Sequence, residues 1–160
     1  GVEVNIMSDN TLDLADDVLS TFDVVVAGVH TGLNQSEEKI TGRIVSAMES
    51  EHVDIISHPT GRLIERRSPY EVDLEKIINV ASETGTVLEI NAAPQRLDLR
   101  DVAAMRAKER GVKVAISTDA HSIETLDYMR YGIATARRGW LEPKNVVNTL
   151  SFEKLMKIFS

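Results

Sequence analysis

Residues able to do chemistry recur in this sequence at one kind of place, the carboxyl end of a short apolar run. "VKVAISTDAHS" (residues 112–122) is a strand-like run that finishes in Asp119 and His121. "VVVAGVH" ends in His30 and "DIISH" in His58; "LEIN" carries Glu89 and Asn91, and the opening "GVEVNI" carries Glu3 and Asn5. In an extended chain residues two apart share a face, so Asp119 and His121 are expected to point the same way, as are Glu3 and Asn5. Imidazole and carboxylate without thiolate are the ligand set of Zn, Mn or Fe. A lone histidine at a strand end is more often a hydrogen-bonded structural group, and D-x-H recurs by chance. Three histidines on separate strand ends, one of them joined by an aspartate, point together to a metal site.

The rest of the inventory narrows the chemistry. There is no cysteine among the 160 residues, which excludes disulfide scaffolds, thiolate metal sites and cysteine nucleophiles and allows an intracellular setting; a cytoplasmic one is expected. No apolar run approaches the roughly 20 residues that span a bilayer, so no membrane partner is expected. The chain has no phosphate-cradling G-x-x-x-x-G-K-[ST], no dinucleotide G-x-G-x-x-G and no G-x-S-x-G elbow. A net charge of −7 speaks against a generic nucleic-acid coat, but not against a nuclease-type site where bound cations invert the local potential. Arg62, in "HPTGRLIERR", and Arg96, after the Asn91 strand, lie on loops at the same ends and are candidates for gripping a phosphate. Arg137 and Arg138 read as helix-end charge, and His52 as a solvated surface residue outside the site.

The elements that must position these groups alternate. Strand patterns at residues 2–6, 22–30, 52–58, 86–92 and 112–118 are separated by helical patterns. Ser36 followed by Glu37 and Glu38 starts one helix, with Ile40, Ile44, Val45 and Met48 at helical spacing. Asp73 caps the next, closed by Gly85; another runs from about Asp101 to Gly111; residues 123–138 read as a helix closed by Gly139, and "SFEKLMKIFS" as a last helical piece. This is an α/β chain with a parallel sheet covered by helices. Doubly wound sheets gather ligands mainly at one switch point, whereas barrels build their site from many strand ends, so the spread of His and Asp favours the barrel.

"GVEVNI", "VVVAGVHTG", "IISHPTGRLI", "LEINAAPQRLDL" and "ISTDAHS", in this order, resemble the PHP (polymerase and histidinol phosphatase) domain. Together with the later "IATARRGW" and "NTL", they are most like the C-terminal PHP domain of bacterial and archaeal family X DNA polymerases. The resemblance covers essentially the whole chain and implies a partial, distorted seven-stranded (β/α) barrel with about five parallel strands here and covering helices. It implies a metal-dependent phosphoesterase, a 3′–5′ exonuclease acting on DNA 3′ ends, with Mn2+ or Zn2+ as cofactor, up to three ions in an intact domain and fewer here. Glu3 matches the family's bridging glutamate; His30, His58, Asp119 and His121 match its terminal ligands; Arg62, Asn91 and Arg96 are expected on the substrate side. The family's earlier H-x-H and further ligands are not in this chain, and Asn5 stands where such polymerases often have aspartate. Residues 1–160 are therefore expected to be one domain fragment lacking its first strands. Its open barrel edge would meet the missing N-terminal segment and polymerase domain, or a second copy in a homodimer. The alternatives are a small-molecule phosphatase of the histidinol-phosphate type, against which "RLDL" and "RRGW" lean, and a silent structural or regulatory module.

Overall fold

The computed structural model describes residues 1–159 and builds them around one five-stranded parallel sheet. The strands are β1 (Val2–Asn5), β2 (Val25–Gly28), β3 (Ile55–Ile56), β4 (Val87–Asn91) and β5 (Val114–Ser117), and their order across the sheet is their order in the chain. That order carries the architecture. Parallel neighbours need right-handed crossovers, and steps that all run in one direction place every crossover on the same face. The sheet is singly wound, as in a barrel, and it is not closed; the expected partial barrel is what forms.

Strand alternation then gives the two faces different jobs. Val4, Ala27, Ile56, Leu88, Ile90, Val114 and Ile116 point to the helical side and form the main core. Helix α2 (Glu37–Met48) starts at Ser36, whose side chain accepts from the Lys39 amide at 3.4 Å, and buries Ile40, Ile44, Ala47 and Met48. Helix α3 (Leu74–Thr84) is capped by Asp73 and stopped by Gly85 in the left-handed conformation, both as expected. Helix α4 (Asp101–Glu109) packs between α3 and α5 (Met129–Arg138).

On the opposite face the lower halves of the strands are apolar and the upper halves polar. Ile55, Val87 and Ala115 are covered by Val147, Leu150, Leu155, Ile158 and Phe159 from the C-terminal segment, which includes α6 (Phe152–Met156). The same segment closes the β5 edge. The Asn148 side chain accepts from the Ile116 amide at 2.7 Å and donates to its carbonyl at 2.9 Å, standing in for a strand. Among the described residues the β1 edge has no such partner strand; within β1 only Asn5 is met there, by Asp13.

Three local expectations change. The run at 52–58 contributes only two ladder residues, Ile55 and Ile56, although Asp54 and Ser57 on either side still bond through the backbone to the neighbouring strands. Residues 123–128 form a tight three-residue-per-turn helix before α5 begins at Met129. The terminal helix is confined to five residues, and Ser160, its expected last residue, lies outside the described residues. A short four-residue helix, α1 (Asp16–Leu19), follows β1.

Candidate metal centre

The upper half of the open face gathers the polar side chains that the strands send there. Glu3 projects from β1, His30 follows β2, Ser57 and His58 follow β3, and Glu89 stands inside β4. His30 Nε2 lies 3.4 Å from Glu3 Oε1, His58 Nε2 lies 3.8 Å from the same oxygen, and the two Nε2 atoms are 3.2 Å apart. Metal–ligand bonds of about 2.0–2.1 Å in a tetrahedral shell put neighbouring donor atoms about 3.4 Å apart. Three edges of 3.2, 3.4 and 3.8 Å therefore fit one face of such a shell, and the three residues can hold a metal ion.

The surroundings prepare these groups. Ser57 Oγ donates to Glu3 Oε1 at 3.0 Å. The interaction with His30 holds the Glu3 carboxyl below its ordinary range, against the opposing push of partial burial. Burial pushes His58 down to about 4, with the positive charge of Arg96 adding to it, so its imidazole is neutral at pH 7, as a ligand must be. His58 Nδ1 is buried without a partner, which leaves Nε2 as the outlet of the ring. Gly28, on the same face of β2, makes the crowding possible. A Cβ there would fall 2.3 Å from Ser57 Oγ and 2.9 Å from a His30 ring carbon. The glycine is needed for the approach of the two imidazoles, not for a special backbone angle.

Glu89 is the residue whose part the sequence understated. Its carboxylate accepts from the His58 amide at 2.6 Å and from the Ser117 hydroxyl, so it ties β3 and β5 to β4 directly beneath the cluster. Burial raises its pKa to about 7. The available signal was period two: in "VLEIN" a charged residue shares a face with Asn91 and interrupts an otherwise apolar strand.

The remaining expected residues are placed differently. The extended run does not continue to His121: β5 stops at Ser117 and Asp119 adopts a left-handed backbone, φ 52°. Alternation ends there, so Asp119 and His121 do not share a strand face. Asp119 Oδ2 meets Asn91 Nδ2 at 3.3 Å and Arg96 Nε at 3.5 Å, while His121, 87% exposed, bonds through Nδ1 to the Asp119 carbonyl at 2.7 Å. Neither is part of the Glu3–His30–His58 triangle. Arg62 donates to the carbonyls of Arg96 at 2.6 Å and Leu97 at 2.5 Å, which makes it a brace between the loops after β3 and β4. Arg96 stays close to the cluster with a buried, unpartnered Nη1. His52 lies at the far end of β3, outside the cluster, as expected. Asn5 is held by Asp13, its amide nitrogen 2.6 Å from Oδ2.

Fold and site together define a barrel-type β/α unit with a histidine–carboxylate cluster at the carboxyl ends of its strands. No family model matches the chain. The chain is 52% identical over 153 residues to the DNA polymerase/3'-5' exonuclease PolX of Bacillus subtilis (strain 168), covering 96% of this chain and 27% of that protein. It is 36% identical over 131 residues to a probable phosphatase of Thermoanaerobacter sp. (strain X514), covering 76% of this chain and 51% of the relative. A probable phosphatase of Syntrophotalea carbinolica is 28% identical over 157 residues, 92% of this chain and 63% of its own length. The chain thus spans about a quarter of the polymerase and half to two thirds of the phosphatases. The likeness to a family X DNA polymerase read from the sequence is borne out.

Proposed function

We propose that residues 1–160 form a single PHP-type unit, a metal-dependent phosphoesterase acting as a 3′–5′ exonuclease on DNA 3′ ends within a family X DNA polymerase. The observation that carries this reading is the Glu3–His30–His58 triangle, whose donor spacing suits an ion at a barrel's active face. The names of the relatives support hydrolysis of phosphate esters. Glu3, His30 and His58 would hold Mn2+ or Zn2+, with Asp119 and His121 as further ligands from the loop after β5. A bound ion supplies Lewis acidity and a water of lowered pKa.

The chain's own groups do the rest. Glu89 fixes the His58 backbone, Ser57 orients Glu3, and the neutral His58 ring keeps its lone pair available. Arg96, with an unpartnered N–H, and Asn91 would meet a phosphate oxygen near Asp119, a reading supported by their contacts to that carboxylate. Arg62 acts on the substrate side by holding the Arg96 loop. The unpaired β1 edge is where we place further polypeptide of the polymerase or a second copy of the chain.

The test is Mn2+-dependent digestion of 3′-recessed DNA by the protein and by Asp119→Ala and His121→Ala. Both variants are expected to lose at least tenfold in rate; unchanged rates in both would contradict the assignment. A second reading, small-molecule phosphatase, is favoured by the phosphatase relatives. Faster turnover of a phosphomonoester than of the DNA would select it. The absence of any bound transition metal in the purified protein, with no stabilisation by added Mn2+, would select a structural module instead.

A further inference from the structure

We infer that an arginine-lined groove beside the cluster holds the phosphate backbone of a single-stranded polynucleotide. Its purpose rests on the phosphoesterase reading above, but its existence does not depend on a metal. Two concavities carry the inference. One, of about 410 Å³, lies between the loops after β3 and β4 and helix α5 and is lined by Arg62, Arg100, Tyr131 and Arg138. The other, of about 470 Å³, runs along the loop after β3 and is again lined by Arg62 and Arg100, now with Arg66 and Arg67. Because they share two residues they form one trough. Five arginines face Asp101 and Glu65 in it, on a chain whose net charge is −7.

The side chains are not equivalent. Arg62 is held by backbone carbonyls, Arg67 donates to the Gly61 carbonyl, and Arg138 pairs with Asp101 at 2.8 Å. Arg66 and Arg100 are exposed and make no ion pair among the described residues, so their charge is available. No lysine lines either concavity, and the guanidinium fork suits phosphate oxygens two at a time. Tyr131 adds a different kind of contact: the Arg130 guanidinium sits 4.8 Å from its ring centroid, a stack that a nucleobase can join. A small monoester would need one cationic pocket. Two in series, one of them lined by an aromatic ring, match a strand. The trough is tied to the Asp119 loop, since Arg62 bonds the carbonyl of Arg96 and Arg96 Nε stands 3.5 Å from Asp119 Oδ2.

The test uses a fluorescein-labelled oligothymidylate, titrated by anisotropy in EDTA over a range of salt. Binding by the parent chain is expected. The double variant Arg66→Ala, Arg100→Ala should weaken it at least tenfold and lower the slope of log K against log salt by about 1.4, since each phosphate contact contributes about 0.7 on single strands. Tyr131→Ala should weaken binding about tenfold with the slope intact. Melting temperature and Mn2+ affinity serve as folding controls, and Arg66→Lys, Arg100→Lys should restore the slope. No binding by the parent, or a double variant with unchanged affinity and slope, would overturn the groove. So would equal, Tyr131-independent binding to phosphatidylserine vesicles. Because no metal is present, failure here leaves the metal-centre reading standing, and loss of metal binding leaves this groove standing.

Discussion

At the scale of residues, the site is a small set of groups whose environments oppose their charges. Glu89 is the clearest case. Its pKa is raised to about 7 by burial, above the ordinary 4.5, so the folded chain prefers it protonated. A raised carboxyl contributes stability that is full below its unfolded pKa and lost as pH rises through the folded one. Without metal, stability should fall on the order of 3 kcal/mol between about pH 4.5 and pH 7 from this group. Urea midpoints measured across pH 4–8 in EDTA should flatten in Glu89→Gln, and an unchanged slope would refute this role. Added Mn2+ should also flatten the slope in the parent, because a nearby cation favours the carboxylate. His30 and His58 were legible as candidates in the sequence from type and strand-end position, whereas Glu3, inside β1, was singled out by the family resemblance. Asp119 and His121 were legible as residues but not as geometry: one left-handed residue defeats an argument from alternation, and no neighbour in "STDAHS" signals it. Arg62 shows a second limit. Its charge announces an anion, while its bonds are to two carbonyls of a loop that lies 34 and 35 positions on.

At the scale of elements, the site depends on loops tied down from below. Arg43, on α2, is fully buried without a carboxylate partner and donates to the carbonyls of Ile6 and Thr31 and to Gln35 Oε1. It fastens the ends of β1 and β2, and with them the Glu3 and His30 segments. Replacement by Met removes these bonds and orphans the buried Ile6 carbonyl, at about 1–3 kcal/mol. Arg43→Met should lower the urea midpoint and weaken Mn2+ affinity together; a stable protein with unaltered affinity would show the brace to be dispensable. Helix α5 gives a prediction of opposite sign to propensity. Gly→Ala inside a helix ordinarily gains about 0.5–1 kcal/mol. At Gly132 the new Cβ would lie 2.4 Å from Ile116 Cγ2 and 2.8 Å from the Ala92 Cβ. Gly132→Ala should therefore destabilise by about 1–3 kcal/mol in denaturant unfolding, and a stabilised variant would mean the helix is not seated this tightly. Such seating is a tertiary fact, invisible in a local pattern. The strands and helices themselves were legible because caps and periodicity act locally: Ser36, Asp73 and Gly85 do what their types dictate.

At the scale of the molecule, sequential parallel strands leave one face of the sheet without crossover helices, and the chain divides that face in two. The lower half is filled by the C-terminal segment, and the upper half is left to the polar cluster. Metal binding and folding are then linked, because the triangle spans β1, β2 and β3 and exists only when these strands are paired. An ion present at 100 times its Kd should add about 2.7 kcal/mol of stability, read as a rise in melting temperature. The central claim is the triangle itself. Calorimetric titration of the metal-free protein with Mn2+ tests it most directly, alongside His30→Ala and His58→Ala. We predict at least one ion bound per chain and affinity lowered tenfold or more in each variant. Binding unaltered by either substitution, or no binding by the parent, would contradict it.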